Sequence, residues 1–335
     1  MKAGMRIYLQ ARKAIKANFE KEVLPMLTEY NDIRIKELLN KKQTVVALGN
    51  FDGVHLAHRF LICEAVRRAK ENGLTSVVYT FDKHPKSFLG SAVEYITDNE
   101  EKAKLVDAAG ADILYFQKTD IDFLKLSPYD FAKKVLKDTL NIKLAVIGEH
   151  YTFGAGGMGD AKKLTELGKE LGFDVMVLPL IKKDGLLVSS TNIRENLSKG
   201  NIKTANALLG RCFSVNGRVE SGNRIGTSIG FPTLNIYPAQ SQLLPAFGVY
   251  EATAQLCGKE YKAILNVGVK PTVGSDRTVI EVHLLDASGD FYGEEVRVSF
   301  NSFIRYEKKF ENICELKAQI EQDKTFLKKF EKNSL

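Results

Sequence analysis

Two of the chain's five histidines, His55 and His58, stand three positions apart in the segment GNFDGVHLAH. An apolar run typical of a buried strand precedes the segment, and a pattern typical of a helix follows it. Glycine lets the backbone approach a ligand closely, and a helix N-terminus offers unpaired N–H groups with a partial positive charge. Two imidazoles one helical turn apart project toward the same anion. The spacing therefore predicts a phosphate site in which both rings stabilise charge on departing pyrophosphate.

A plainer alternative is that His55 and His58 are surface residues at a helix start. The glycine turn directly after a strand favours ligand binding. A zinc site is not expected, because no cysteine or carboxylate of matching spacing lies nearby.

A second group of residues whose types could take part in a reaction lies in the segment GRVESGNRIGTSIGFPTLNI, residues 217–236. It lacks the spacing of a P-loop, so we predict a flap of another kind that covers phosphates with backbone N–H groups. The flap glycines are Gly222, Gly226 and Gly230. Thr233 and Asn235, two apart on a strand, offer hard oxygen donors suited to Mg²⁺. Glu281, in the strand-like run TVIEVHLL, is placed to take a proton from an alcohol, although a solvent-facing strand residue is the plain alternative.

The elements that must hold these residues change in type along the chain. From Val45 to about Leu180, apolar runs alternate with helical patterns, which indicates an α/β domain with a parallel sheet. From Cys212 onward, short alternating strands and turn residues indicate a small antiparallel β-barrel. The end returns to helical spacing, with Ile313, Leu316 and Ile320 on one face.

Bulk properties narrow the class of protein. The chain has 335 residues with a net charge of +7, and its basic residues are dispersed, so we expect a solvated surface and anionic small ligands but no nucleic acid. No apolar run is long enough for a membrane span. The four cysteines are scattered without metal spacing, which favours a reduced, cytoplasmic protein. The sequence does not indicate an oligomeric state.

Four segments in the first half resemble motifs of the bacterial bifunctional riboflavin kinase/FAD synthetases. GNFDGVHLAH resembles that family's GxFDGxHxGH signature, and YTFDKHP (79–85) resembles TFxPHP. VIGEHYTFG (146–154) resembles GxDFxFG or GxNFxFG, and VSSTNIRENL (188–197) matches SSTxIR. The resemblance implies a Rossmann-like nucleotidyltransferase domain that transfers the adenylyl group of ATP to FMN, giving FAD and pyrophosphate.

The resemblance also implies roles for individual residues of this domain. His55 and His58 hold ATP phosphates, with Gly49, Phe51 and Gly53 around them. A second phosphate contact is implied for Ser189, Ser190, Thr191 and Arg194. Arg194 keeps its charge and offers a planar fork of donors.

Three positions depart from the family pattern. Ala57 stands where the family has glycine, His150 where it has aspartate or asparagine, and Lys83 where it has proline. The third change is minor. The first two leave open whether adenylyl transfer is weakened.

The second half resembles the riboflavin kinase module over about residues 200–330. The matching segments are GRVESG, GFPTLN, FGVYEA, NVGVKPTVG, EVHLLDASGDFYG and RYEKKF. The resemblance implies Thr233 and Asn235 as ligands of Mg²⁺ and ATP, and Glu281 as general base on the ribityl 5′-hydroxyl of riboflavin. Gly248 to Tyr250 are implied near the nucleotide. Thr227 replaces a basic residue that is common after the flap glycine, and Arg224 is nearby.

We therefore predict a lead-in over residues 1–42, an FMN adenylyltransferase domain over 43–198 and a riboflavin kinase domain over 199–335. The expected reactions convert riboflavin to FMN and FMN to FAD with ATP and Mg²⁺, so flavins are substrates and products. Two alternatives stay open. One is a riboflavin kinase with an impaired adenylyltransferase half, and the other is a flavin- or nucleotide-binding regulator without turnover.

Overall fold

The computed structural model describes most of the chain between residues 26 and 323. The described ranges are 26–29, 32–39, 41–89, 93–220, 233–272, 275–285, 287, 289–308, 310–312, 314–315, 317–319 and 321–323. The flap glycines Gly222, Gly226 and Gly230 lie outside these ranges, as do Arg224 and Thr227 and the predicted helix positions Ile313, Leu316 and Ile320. Contacts divide the chain into two compact units between Ser190 and Thr191.

The first unit is built on a six-stranded parallel sheet with the order β1-β4-β3-β2-β5-β6. The strands are β1 (Leu27–Glu29), β2 (Thr44–Leu48), β3 (Thr75–Phe81), β4 (Ile113–Gln117), β5 (Ile142–Gly148) and β6 (Asp174–Leu178). The central strands are apolar and buried along their length, as parallel strands covered on both faces must be. Part of the predicted lead-in belongs to this sheet, because β1 pairs with β4.

Helices connect these strands and supply the two apolar layers of the core. They are α1 (Asp32–Leu39), α2 (Leu56–Asn72), α3 (Asn99–Asp107), α4 (Ile121–Leu124), α5 (Pro128–Asp130) and α6 (Ala161–Leu171). The short α5 is continued by a π-helix over Phe131–Lys137. Short 3₁₀ turns cover Pro85–Leu89 and Ala155–Gly157, and a small hairpin joins β7 (Lys182–Lys183) to β8 (Leu186–Leu187).

The ends of α2 show why the sequence folds this way locally. His55 is its N-cap, with extended backbone, and Gly73 closes it in the left-handed conformation at φ 65°. Glycine adopts that conformation without strain, which explains why the helix ends at Gly73. Asp98 and Asp160 cap α3 and α6 through their side chains.

The second unit is a closed antiparallel barrel with the order β10-β13-β12-β11-β14-β9. The strands are β9 (Phe213–Glu220), β10 (Leu234–Ile236), β11 (Gly248–Leu256), β12 (Lys259–Thr272), β13 (Ser275–Leu284) and β14 (Glu295–Arg305). Helices α7 (Ser190–Ser198) and α8 (Ile202–Leu209) precede it, and residues 314–315, 317–319 and 321–323 are helical. The predicted fold class, a parallel α/β domain followed by a β-barrel, is confirmed.

Candidate active sites

The first candidate site is the loop of residues Gly49 to His55, called here the histidine loop, which joins β2 to α2. Its backbone is tied to β3, the strand beside β2. The Gly49 N–H donates to the Tyr79 carbonyl at 3.3 Å, and the Thr80 hydroxyl donates to the Asn50 carbonyl at 2.9 Å. The loop therefore leaves the carboxyl edge of the parallel sheet, where such sheets bind ligands.

The histidine loop has an unusual backbone. Phe51 (φ 47°), Gly53 (φ 83°) and Val54 (φ 36°) all have positive φ. A positive φ in a β-branched residue such as Val54 is a true outlier, and outliers of this kind concentrate at functional sites. The side chain of Asp52, which is buried, holds the loop in place by accepting from the N–H of Ile96 at 3.0 Å.

The two histidines are stacked. Their ring centroids are 3.5 Å apart with an interplanar angle of 16°. Nδ1 of His55 accepts from the backbone N–H of His58 at 3.3 Å, so Nδ1 carries no proton and the ring's proton is on Nε2. His55 thus serves as a helix cap on one edge and keeps an Nε2–H donor on the other.

Two of the three departures from the family pattern, Ala57 and His150, lie in different local structures. Ala57 lies in the first turn of α2, half-buried, where the helical backbone does not require glycine. His150 lies in the turn after β5 and is exposed. The backbone thus accommodates both residues, and their effect on a bound nucleotide stays a prediction.

The segment with the predicted second phosphate contact forms the start of α7. Ser189 directly precedes the helix, and the hydroxyl of Ser190 donates to the Asp52 carbonyl of the histidine loop at 2.9 Å. Thr191 is exposed in the first turn, and Arg194 is half-buried one turn after Ser190. The structure therefore brings Ser190 onto the histidine loop, as the motif order implies.

The second candidate site is a row of polar side chains across three strands of the barrel. In register, Asn235 on β10 faces Glu281 on β13, and Glu281 faces Asn266 on β12. Directly opposed residues in antiparallel strands point to the same side, with Cβ atoms about 5 Å apart. Ile280 and Val282, on the other face of β13, are completely buried. The sequence pattern correctly assigned Glu281 to the face opposite these apolar residues.

Thr233 lies immediately before β10 and is half-buried, whereas Asn235 is almost fully buried. A hydroxyl, an amide oxygen and the neighbouring Glu281 carboxylate form a set of hard oxygen donors. That chemistry fits Mg²⁺ held together with nucleotide phosphates, and it does not fit a soft metal. Within the described ranges, no cluster of three or more His, Cys, Asp or Glu side chains suited to a metal occurs.

Sequence reasoning missed Asn266 and its partner Glu307. The Asn266 side-chain NH₂ donates to Oε1 of Glu307 at 2.9 Å. A carboxylate only accepts, so the amide oxygen of Asn266 must face away from Glu307. That oxygen is buried and accepts no hydrogen bond in the part of the chain that the structure describes. A Cβ at Gly268 would collide with the Glu307 carboxylate, which explains the glycine in NVG.

Two residues predicted to lie near the nucleotide also have structural roles. The side chain of Tyr250 is completely buried, and its hydroxyl donates to the Ala246 carbonyl. Burial raises the pKa of that hydroxyl well above its ordinary value. At Gly248, a Cβ would lie 2.5 Å from the Arg305 carbonyl oxygen, so close packing of β11 on β14 requires glycine. That Gly248 and Tyr250 lie near the nucleotide stays a prediction.

Sequence reasoning also missed Lys102. This lysine is buried in α3, and its Nζ donates to the Asn50 carbonyl of the histidine loop at 3.2 Å.

Comparisons with known proteins agree with this architecture. The family model for FAD synthetase matches residues 38–192, and the family model for riboflavin kinase matches residues 209–331. No helix in the described ranges is both long and apolar enough to cross a bilayer.

Two curated relatives match nearly the whole chain, and both are named bifunctional riboflavin kinase/FMN adenylyltransferase. The Escherichia coli K12 protein is 35% identical over 289 residues, which cover 85% of this chain and 92% of the relative. The Bacillus subtilis 168 protein is 38% identical over 297 residues, which cover 87% of this chain and 92% of the relative. A solved structure from Streptococcus pneumoniae, described as a macrolide-efflux protein, has a TM-score of 0.81 and 29% identity. The match covers 90% of this chain and 98% of the Streptococcus pneumoniae chain.

An α/β domain with a histidine loop, followed by a barrel with an Asn-Glu-Asn row, defines a two-domain nucleotide-dependent transferase. The chain belongs to the family of bifunctional riboflavin kinase/FMN adenylyltransferases. The predicted resemblance and the predicted enzyme class are confirmed, and the alternative without turnover is not favoured. The predicted boundary at residues 198/199 stays a prediction; α7 ends at it, at Ser198, and the contacts divide the chain at the start of that helix, between Ser190 and Thr191.

Proposed function

We propose that the barrel converts riboflavin to FMN and that the α/β domain converts FMN to FAD, each with ATP. The observation that carries the proposal is the pairing of two distinct polar sites with the two family matches. The histidine loop lies in the segment matched by FAD synthetase, and the Asn235–Glu281–Asn266 row lies in the segment matched by riboflavin kinase.

In the barrel, Glu281 takes the proton from the ribityl 5′-hydroxyl, and that oxygen attacks the γ-phosphorus of ATP. The bond between the γ-phosphorus and the bridging oxygen breaks, and ADP leaves. Thr233 and Asn235 would hold Mg²⁺, which would supply positive charge to neutralise the nucleotide phosphates. Asn266 is opposite Glu281 in register, and we propose that its amide oxygen accepts from a substrate hydroxyl. Gly222, Gly226 and Gly230 are proposed to cover the phosphates.

In the α/β domain, a phosphate oxygen of FMN attacks the α-phosphorus of ATP. The bond from that phosphorus to the bridging oxygen breaks, and pyrophosphate leaves. The Nε2–H of His55, with His58 stacked on it, donates to the phosphates as negative charge develops on the leaving group. The Phe51 N–H binds the same phosphates, and Gly49 and Gly53, whose own N–H groups donate to the Tyr79 carbonyl and the Thr97 hydroxyl, shape the loop around them. Ser189, Ser190, Thr191 and Arg194 provide the second contact. Catalysis is positioning and electrostatic stabilisation, without a covalent intermediate.

We propose that the protein acts in the cytoplasm. All four cysteines are free thiols, as is usual in a reducing compartment, and three of them are exposed.

The test is a flavin assay with one variant for each site. Purified protein is incubated with ATP, Mg²⁺ and either riboflavin or FMN, and the flavins are separated by chromatography. Asn235→Ala is expected to abolish FMN formation while FAD formation from added FMN continues, and His55→Ala is expected to do the reverse. Loss of both activities in either variant, when it is folded, would show that the two-site assignment is wrong.

An impaired adenylyltransferase half is the second candidate, because Ala57 and His150 depart from the family pattern. It predicts that the wild-type protein accumulates FMN and makes little FAD even from supplied FMN. Ala57→Gly then raises FAD synthesis if the methyl group crowds the nucleotide.

A further inference from the structure

Lys102 is a buried cation that the proposed chemistry does not use. Its side chain is 2% exposed, on the second turn of α3. Lysine is almost never fully buried unless a partner compensates its charge. The neighbouring buried Glu101 has a local reason to be there: it is the third residue after the Asp98 cap, where acidic side chains suit a helix start. The helix gives no such reason for Lys102.

The surroundings of the Lys102 ammonium do not neutralise it. Its Nζ donates to the Asn50 carbonyl at 3.2 Å and lies 5.7 Å from the centroid of the Phe116 ring. No carboxylate oxygen of the described residues comes within 4.0 Å of it. Asp52 in the histidine loop and Asp82 after β3 act on it only through space. The effect of burial is larger than the attraction between the ammonium and these two carboxylates, and it lowers the pKa of Lys102 to about 8.

Within the described residues, the Lys102 ammonium makes one hydrogen bond, and its acceptor indicates what the side chain does. The Asn50 carbonyl accepts from both Lys102 and the Thr80 hydroxyl. The same peptide unit carries the N–H of Phe51, a residue held at φ 47°, and that N–H donates to no group in the described part of the chain. An ammonium bound to the carbonyl of a peptide polarises that peptide, so its N–H becomes a stronger donor.

We propose that Lys102 is a positioning residue for adenylyl transfer. Its ammonium fixes the Asn50–Phe51 peptide and strengthens the Phe51 N–H as a donor to an ATP phosphate. It also places one positive charge behind the histidine loop, where it attracts the polyanion. The inference rests on the proposed nucleotide site in the histidine loop.

The test compares Lys102→Met, which keeps the length but removes the charge, with Lys102→Arg, which keeps a charge. Lys104→Met is the matched control, because Lys104 is on the same helix but its side chain is exposed and pairs with Glu100. FAD synthesis from FMN is measured against ATP concentration. Riboflavin phosphorylation by the same preparations measures the amount of active protein.

We expect Lys102→Met to raise the KM for ATP in FAD synthesis about tenfold, the worth of one charge-assisted hydrogen bond, while riboflavin phosphorylation stays unchanged. Lys102→Arg restores part of the loss, and Lys104→Met matches the wild type. In the wild type, kcat/KM for ATP falls above about pH 8 because the ammonium is lost. In Lys102→Arg that decline moves to higher pH, which a merely structural role would not produce.

A KM for ATP within about twofold of wild type in folded Lys102→Met would overturn the inference, since that is below the worth of a single hydrogen bond. Identical pH profiles of wild type and Lys102→Arg would overturn it as well. Wild-type protein that makes no FAD from FMN would instead refute the proposed adenylyl transfer, which is a separate outcome.

Discussion

Replacing Lys102 by methionine is expected to stabilise the α/β domain. Burial lowers the pKa of Lys102 from an ordinary 10.5 to about 8. Each pKa unit corresponds to about 1.4 kcal/mol, so the charged side chain costs the folded domain about 3 kcal/mol relative to the unfolded chain. Methionine has a similar length and no charge, and it fits among the apolar neighbours of α3. Below pH 8 the free energy of unfolding of Lys102→Met should therefore exceed that of the wild type by about 2–3 kcal/mol, after the loss of one hydrogen bond.

The pH dependence has a definite sign. Between pH 8 and 10.5 the unfolded chain keeps the proton on Lys102 and the folded domain has released it. The unfolded state then binds more protons, so the free energy of unfolding of the wild type rises with pH across this window. Lys102→Met has no such group, and its advantage should shrink by about 3 kcal/mol as the pH rises through the window.

The assay is urea unfolding followed by circular dichroism at several pH values from about 7 to about 10, with Lys104→Met as control. Wild type and Lys102→Met differ in one titrating group, so the difference between their pH profiles isolates Lys102, and Lys104→Met shows the effect of removing an exposed lysine from the same helix. Equal pH dependence of wild type and Lys102→Met would refute the argument, because it would mean that Lys102 titrates near its ordinary pKa. A destabilised Lys102→Met at neutral pH would show that the charge is compensated by the fold itself.

Three further outcomes follow from the sites. Gly53→Ala should destabilise the α/β domain by about 1–3 kcal/mol and reduce FAD synthesis, because φ is 83° and the new methyl would meet Ile96 at 3.1 Å; an unchanged urea midpoint would contradict this. Glu281→Gln should lower kcat for riboflavin phosphorylation at least about 10²-fold with FAD synthesis from FMN retained, and a residual kcat near wild type would exclude Glu281 as the base. Asn266→Asp should lower kcat/KM for riboflavin about tenfold, because the new carboxylate faces the Glu307 carboxylate. Asn266→Gln keeps the amide and should lower kcat/KM by a smaller factor, and equal effects of the two substitutions would contradict this role of the amide.

Much of the fold was predictable because its signals are local. Apolar runs alternating with helical patterns indicated the parallel sheet, and the period-two pattern around Glu281 gave the correct face of β13. The start of α2 at His55 and its end at Gly73 follow from cap and turn chemistry that acts within a few residues. Edge strand β1 was missed, because a three-residue strand at a sheet edge leaves no periodic pattern.

The less predictable parts of the sites depend on distant segments meeting. Asn266 becomes a neighbour of Glu281 only through the register of β12 and β13, and Glu307 reaches Asn266 from beyond β14. The positive φ values of Phe51 and Val54 come from contacts of the histidine loop with its surroundings. Lys102 did leave a signal, since it stands four residues before Val106 on the face of α3 that is buried. A lysine on an apolar face is the pattern that identifies such a group.

The central claim, two reactions at two separate sites of one chain, is tested most directly by mixing two inactive variants. Asn235→Ala lacks FMN formation, and His55→Ala lacks adenylyl transfer, so neither alone should convert riboflavin to FAD with ATP and Mg²⁺. An equimolar mixture should make FAD from riboflavin, because FMN released by one variant is the substrate of the other. A mixture that makes no FAD, although each variant retains its own remaining activity, would contradict the account.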